Sequence, residues 1–220
     1  MKWKLNMEKI NWKNYFIELI VVFIGITAAF LLNNWREDYK SAELESKYLN
    51  SIKNDIIQDS MSVNEILKFN EGKEVKFKKY IASTIKGVTS IDSAVILFQD
   101  ILTIPEFYPQ SNTYESIKYS GNLNLISDYN LREETTNYYE SFTTIQSQQE
   151  MTEEFINDYA TKFVFKNINI LNWQIVNKKN EDFNEVNNII MGYYALLEQN
   201  IKLEKEIVIK NKELLKKLSF

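Results

Sequence analysis

Glu18 is the one charge inside the apolar run YFIELIVVFIGITAAFLL, residues 15–32, and its setting asks for a chemical explanation. A carboxylate about three residues inside a membrane edge lies roughly 4.5 Å deep. It costs less there than the ~2.5–3.5 kcal/mol of the bilayer centre, because it can snorkel or take up a proton. The simpler reading is an interfacial residue that tolerates its place. The sharper one is a group that pairs with a basic or hydroxyl side chain on another helix, or that titrates in a proton path. Gly25 and Ala29 follow at small-xxx-small spacing with Ala28 beside them, a surface on which two helix backbones can approach closely. A span with an acid and a small face is expected to self-associate or to meet a partner span.

The second candidate is the pair Phe107 and Tyr108, held between Pro105 and Pro109. Two prolines force an irregular course on 103–112, so this is the candidate binding loop. The alternative, which we prefer, is an ordinary helix connection whose aromatics plug the end of the bundle.

Other chemistry is excluded by residue type. The chain has no cysteine and no histidine, which removes thiol nucleophiles, histidine bases, Ser-His-Asp triads, disulfides, lipoprotein anchoring and the usual structural zinc sites. The five glycines form no GxxxxGK[ST] or GxGxxG pattern, so no phosphate loop is expected. The acid pairs Glu133-Glu134 and Glu153-Glu154 are adjacent, about 100° apart on a helix, and are read as solvent-facing charges. A net charge of -4 with mixed signs offers no footprint for nucleic acid. The expectation is a protein that is not an enzyme, with no cofactor, no metal and no nucleic-acid partner.

The elements that position these residues are helical. With 5 Gly and 2 Pro in 220 residues, an all-β sandwich lacks its turn residues. The run 15–32 spans roughly 27 Å, just enough to cross a bilayer. Trp12 and Tyr15 mark one boundary and Trp35 the other, as membrane-interface anchors. Lys2, Lys4, Lys9 and Lys13 precede the run against one Glu8, whereas Glu37, Asp38, Glu43 and Glu45 outnumber Arg36 and Lys40 after it. The positive-inside rule then places the N-terminus in the cytoplasm. A cleaved signal peptide is disfavoured, because the apolar stretch exceeds about 15 residues and no small-x-small site follows it. The expected domains are a cytoplasmic tail over 1–14, a transmembrane helix over 15–32 and a helical domain over 33–220.

Within 33–220, Leu44, Tyr48, Ile52, Ile56, Val63 and Leu67 predict a long amphipathic helix as far as Gly72, resuming through Val75, Tyr80, Ile81 and Ile85 to a turn at Gly87. Asp92 is expected to cap a short helix over 93–102. A helical turn over 114–119 ends at Ser120-Gly121, and Ser127 or Asp128 caps the next helix. That helix carries Leu131, Tyr138, Phe142, Ile145, Phe155, Tyr159 and Phe163 on one side, and runs beyond about forty residues unless it breaks near Ser147. Residues 165–176 read as a loop or a short strand. The last helix begins near 180–182, with Glu185 completing a cap, and carries Tyr194, Leu197, Ile201, Val208, Leu215 and Leu218 as its stripe. Glu204 and Asn211 interrupt that stripe, and Glu204, Lys205, Glu206 and Lys210 read as a solvated face. The expected fold class is mainly α, an N-terminal transmembrane helix followed by an elongated extracytoplasmic helical bundle.

Glu18, Gly25-Ile26, Ala29, Leu32-Asn33-Asn34-Trp35, Tyr48-Leu49, Ile52 and Asp55 resemble the pattern of an uncharacterised, domain-of-unknown-function family of single-pass membrane-anchored proteins frequent in Bacteroidetes. Ser120-Gly121-Asn122-Leu123, Leu125-Ile126, Leu131 and Tyr138-Tyr139 extend the likeness over most of the chain. The resemblance implies a Gram-negative inner membrane, a periplasmic body and an acid at the position of Glu18, but no reaction. The expected partners are the lipid bilayer and either a second copy or a partner membrane protein. The expected role is a non-enzymatic envelope interaction or scaffold module. The alternatives are a periplasmic ligand-sensing bundle and an accessory subunit of a proton-driven or ion-conducting complex that uses Glu18.

Overall fold

A computed structural model describes residues 12–176 and 180–219, and the side chains of 180–182 are left aside. Lys2, Lys4, Glu8 and Lys9, most of the 1–14 tail and the side chains of the expected cap over 180–182 fall outside what the structure describes. The described chain is mainly helical. Its contacts divide it into two units, Met1–Lys47 and Tyr48–Phe220.

Helix α1 runs over Trp12–Ile85. It contains no proline and passes through Gly72 without a break, where the sequence suggested a pause. It stops where Gly87 adopts φ 71°, a conformation that costs glycine nothing. The N–H of Gly87 bonds the Thr84 carbonyl and that of Val88 bonds the Ser83 carbonyl, the paired closure of a Schellman motif.

In the first unit every residue from 12 to 32 is exposed. An 18-residue window there has a mean hydropathy of 2.4, so α1 is long and apolar enough to cross a membrane.

In the second unit, α1 buries Leu49, Ile52, Ile56, Asp59, Val63, Ile66, Asn70, Lys73, Phe77 and Tyr80. The steps alternate three and four, the 3.5-residue period of a helix seam. Val75, expected on this face, is exposed because it falls off the 3.5-residue period, and Leu44 and Ile85, also expected there, are exposed before its first buried residue and after its last.

Helix α7, Asn180–Lys217, lies antiparallel to this part of α1. Rising numbers on α1 meet falling numbers on α7 in the pairs Asn70–Glu204, Lys73–Tyr193 and Tyr80–Asn187. The α7 seam holds Tyr193, Leu197, Ile201, Glu204, Ile207, Asn211 and Leu214, and Leu218 extends it just past the helix end. Tyr194, Val208 and Leu215 stand beside it, half-buried. The expected stripe was therefore displaced by one residue over parts of the helix, and its two interruptions are seam positions.

Helix α2, Ile91–Ile101, is capped by Ser90, whose hydroxyl accepts from Ser93 N–H at 3.3 Å; Asp92 instead sits in the first turn, where its charge favours the helix dipole. Residues 103–111 are irregular, as the prolines require. Helix α3, Asn112–Tyr119, ends at a turn in which Gly121 takes φ 73°. Asp128 caps α4, Tyr129–Glu140, by accepting from the N–H groups of Asn130 and Leu131.

Helix α5 covers Phe142–Phe155, and a π-helical segment Ile156–Thr161 joins it to α6, Lys162–Asn167. The chain thus breaks at Ser141 and reshapes at 156–161, while Ser147 is inside α5. The stripe holds for Leu131, Tyr138, Phe142, Ile145 and Phe163; Phe155 is half-buried and Tyr159 is exposed. The π segment adds a residue to a turn, which shifts the later face. A two-residue hairpin, β1 Ile168–Asn169 and β2 Gln174–Ile175, fills the region read as loop or strand.

Two apolar cores result. One gathers Phe77, Phe98, Phe163 and Ile190 with their neighbours, and the other Ile52, Ile56, Tyr114, Tyr138 and Phe142.

Candidate functional site

The N-terminal candidates share one side of α1. Successive residues turn by 100°, so Glu18, Gly25 and Ala29 lie within about 40° of one another. A methyl group built on Gly25 meets nothing within 4 Å. Trp12, Tyr15 and Trp35 are exposed at 77%, 60% and 70%, with the Trp35 ring 6.5 Å from that of Tyr39.

The 103–112 segment separates its two aromatics. Phe107 is buried, against the Phe142 ring at 5.6 Å, and Tyr108 is exposed. Phe107 therefore belongs to the core and Tyr108 to the surface, and the two residues form no common surface.

The chemistry that sequence reading missed is buried along the seam. Asn70 Nδ2 donates to Glu204 Oε1 at 2.6 Å, and the second oxygen of Glu204 has no partner. Burial is the main cause that raises the Glu204 carboxyl to about 7, with the Asn70 bond and the Lys73 and Lys205 charges opposing it. Glu204 is 7% exposed, so its assignment to a solvated face is corrected. Lys73, also buried, donates to the Thr103 carbonyl and, at 3.0 Å, to the Tyr193 hydroxyl. Its ammonium lies 4.9 Å from the Phe69 ring centroid, and burial lowers it to about 8. The carbonyl of Thr103 belongs to the proline segment, so that loop is tied to the seam through its backbone.

Beside this cluster lies a cavity of about 20 Å³ lined by Asn70, Pro105, Phe107, Gln148, Thr152, Tyr193, Asn200, Glu204 and six further residues. Gln148 Nε2, like Glu204 Oε2, is buried without a protein hydrogen-bond partner. Thr152 donates to the Gln148 carbonyl at 2.8 Å and accepts from Asn200 at 3.2 Å, which fixes the facing turns of α5 and α7.

A second polar group sits in the other core. Asp59 accepts from the Gln110 N–H at 2.8 Å and from the Tyr138 hydroxyl at 2.9 Å, and burial raises its carboxyl above the usual range. With its amide oriented to suit its neighbours, Asn211 donates to Tyr138 at 2.8 Å and accepts from Ser60 N–H at 3.2 Å. Tyr114 and Tyr139 stack at 4.4 Å.

Of the acid pairs, Glu133 and Glu154 are exposed, whereas Glu134 and Glu153 are half-buried and Glu134 pairs with Lys217. Among the described residues, no group of three or more acidic side chains is placed to hold a metal ion. A sequence signal for the seam existed. Polar residues at heptad positions, Asp59, Asn70, Lys73, Glu204 and Asn211, mark buried polar pairs once the 3.5 period is recognised.

No curated protein and no solved structure matches the chain. A family described as of unknown function, DUF6090, matches residues 18–191, from Glu18 through the rest of the apolar run, the proline segment and most of the cavity wall, ending before Glu204. On that match over most of its length, this chain belongs to the DUF6090 family.

Proposed function

We propose that this protein is a non-enzymatic interaction module of a bacterial envelope. In this reading one uncleaved span holds it in the inner membrane of a Gram-negative organism of the Bacteroidetes type. The N-terminus is cytoplasmic, and residues 33–220 form a periplasmic helical bundle. The observation that supports it is the exposure of every residue over 12–32 in an apolar helix. Such a surface needs lipid or another span to cover it.

Glu18, Gly25 and Ala29 on one side favour a partner span or a second copy over lipid alone on that side. A shared face containing an acid also supports the second reading, an accessory subunit in which Glu18 titrates against a neighbouring span.

The test is purification of the tagged full chain from native membranes in mild detergent, with mass spectrometry for partners and native mass for stoichiometry. A defined complex or a homo-oligomer, weakened by Gly25→Leu, is expected. A chain that alkaline carbonate strips from the membrane would overturn the anchor. A monomer without partners would overturn the interaction role. Glu18→Gln separates the two readings: assembly kept with partner activity lost identifies the accessory subunit, and unchanged activity excludes it.

A further inference from the structure

We propose that one end of the helical body, made by the turn between α1 and α2 and the tip of the β1–β2 hairpin, binds an anionic lipid surface. Its exposed apolar side chains enter the interface, and Lys86 and Lys166 rest on the headgroups.

The two turns share an end of the second unit. The Tyr80–Asn187 bond aligns the antiparallel pair so that the last turn of α1 lies level with the first turns of α7. Val176 comes four residues before Asn180, the first of α7, a reach of at most about 15 Å. Ile168 and Ile175 enter the same core as Ala94 and Val95 of α2. The hairpin therefore covers the core at the end where α1 turns into α2.

Neither turn hides its apolar residues. Ile85 and Val88 are 81% and 75% exposed, and Phe165, Leu171 and Val176 are 74%, 97% and 64% exposed, with Ile170 beside them at 45%. The hairpin tip is a built turn. Asn169 accepts from Leu171 N–H through its side chain at 3.0 Å and from Asn172 N–H through its carbonyl at 3.3 Å. Trp173 takes φ 50°, which strains a bulky residue, and its ring packs on the core. Packing within the chain gives no reason for a strained turn that points a leucine into solvent.

Charge selects the partner. Residues 83–90 and 165–176 contain Lys86 and Lys166, both exposed, and no acid, in a chain whose net charge is -4. Just outside these turns Lys79 and Asp92 offset each other, and Asp158 pairs with Lys162 at 2.8 Å. A lysine near an anionic membrane gains roughly fivefold in affinity, and an apolar side chain buried there gains roughly tenfold or more. Polar residues, Thr89, Asn169, Asn172 and Gln174, stand between the apolar ones. A bilayer interface takes up separate protruding side chains and solvates the polar groups between them, whereas a protein partner would have to supply a socket for each.

The absence of cysteine makes the test direct, because Leu171→Cys gives one labelling site in the full chain. The chain, carrying an environment-sensitive fluorophore there, is reconstituted in phosphatidylcholine vesicles with and without phosphatidylglycerol, with brominated lipid as quencher. The expected result is blue-shifted emission quenched by brominated lipid when phosphatidylglycerol is present. Lys86→Glu with Lys166→Glu should weaken that association at least about tenfold. A label at Tyr108→Cys, exposed on the proline segment, should stay unquenched. To exclude the fluorophore's own affinity, a label at Val88→Cys should be quenched while Leu171 is present and released by Leu171→Asp. A label at residue 171 left unquenched in both lipids, or quenching that the lysine reversals do not change, would overturn the proposal. So would a blue shift without quenching, which would mean that a second copy covers the tip. Alkaline carbonate extraction of the same vesicles reads the span separately, so a failed anchor is distinguishable from a failed tip.

Discussion

Asn70 on α1 donates to Glu204 on α7 at 2.6 Å, and both residues occupy positions of the 3.5-residue seam where apolar side chains would pack. A buried polar pair of this kind gives up stability relative to leucines but fits only one alignment of the two helices. Asn70→Leu is therefore expected to strip Glu204 of its donor and cost about 2–4 kcal/mol, read from chemical denaturation of the full chain in detergent. Replacing both residues by leucine should recover most of that loss while relaxing the register, seen as broadened amide resonances along α7. A single change as harmless as the double one would show that the bond fixes nothing.

The same acid sets the pH response. Its carboxyl is raised from the ordinary 4.5 to about 7, so between those values the folded chain holds a proton that the unfolded chain has released. Its contribution is complete below 4.5 and fades as pH rises through 7, and stability falls across that window by at most about 3 kcal/mol. Asp59, raised in the same direction, adds to the fall. Lys73 works oppositely. Lowered from 10.5 to about 8, it makes stability rise with pH over that interval. Melting curves at pH 5 and pH 7.5 should show a steeper loss for the unaltered chain than for Glu204→Gln. Equal slopes would mean that Glu204 titrates as an exposed acid.

How much of this was legible in the sequence follows from which signal each residue carries. Gly87, Asp128, Ser120-Gly121 and the two prolines announce turns and caps by backbone chemistry, and the helices stop where they stand. The apolar run 15–32 is equally plain. Glu204 was misassigned because its neighbours Lys205 and Glu206 are exposed, and a charge in a charged stretch looks solvated until the seam is counted in threes and fours. Ser90 was passed over for Asp92 because both residue types cap helices and only the backbone angles separate them. The cavity had no local signature, since it joins Asn70, Gln148 and Glu204 from distant parts of the chain. Such long-range assembly is set by packing rather than by any one segment.

Asp59 and Tyr138 test whether the second polar group is a unit. Asp59→Ala leaves the Tyr138 hydroxyl and the Gln110 N–H without their acceptor, and it should cost about 2–4 kcal/mol. Tyr138→Phe removes the donor to Asp59 and the acceptor of the Asn211 amide while keeping the ring on Phe142, for about 1–2 kcal/mol. In the double variant the two losses should fall short of their sum by at least about 0.5 kcal/mol, measured by a double-mutant cycle in denaturant. Strict additivity would mean that the 2.9 Å bond contributes nothing.

Two glycines inside helices separate propensity from packing. Gly72 is exposed on α1, and a methyl group there meets nothing within 4 Å, so Gly72→Ala should stabilise the chain by about 1 kcal/mol through helix propensity and a less flexible unfolded state. Gly192 on α7 has the same intrinsic preference for alanine, yet a methyl group there would stand 2.6 Å from Cζ of Phe155. That ring packs on the core and lies 5.0 Å from the Tyr159 ring, at the entry to the π segment. Gly192→Ala must push it aside and should instead cost about 1–2 kcal/mol. Thermal melts of the two variants should therefore move in opposite directions. If Gly192→Ala melts higher, the Phe155 ring swings away freely, and the approach of α7 to α5 does not depend on the missing side chain.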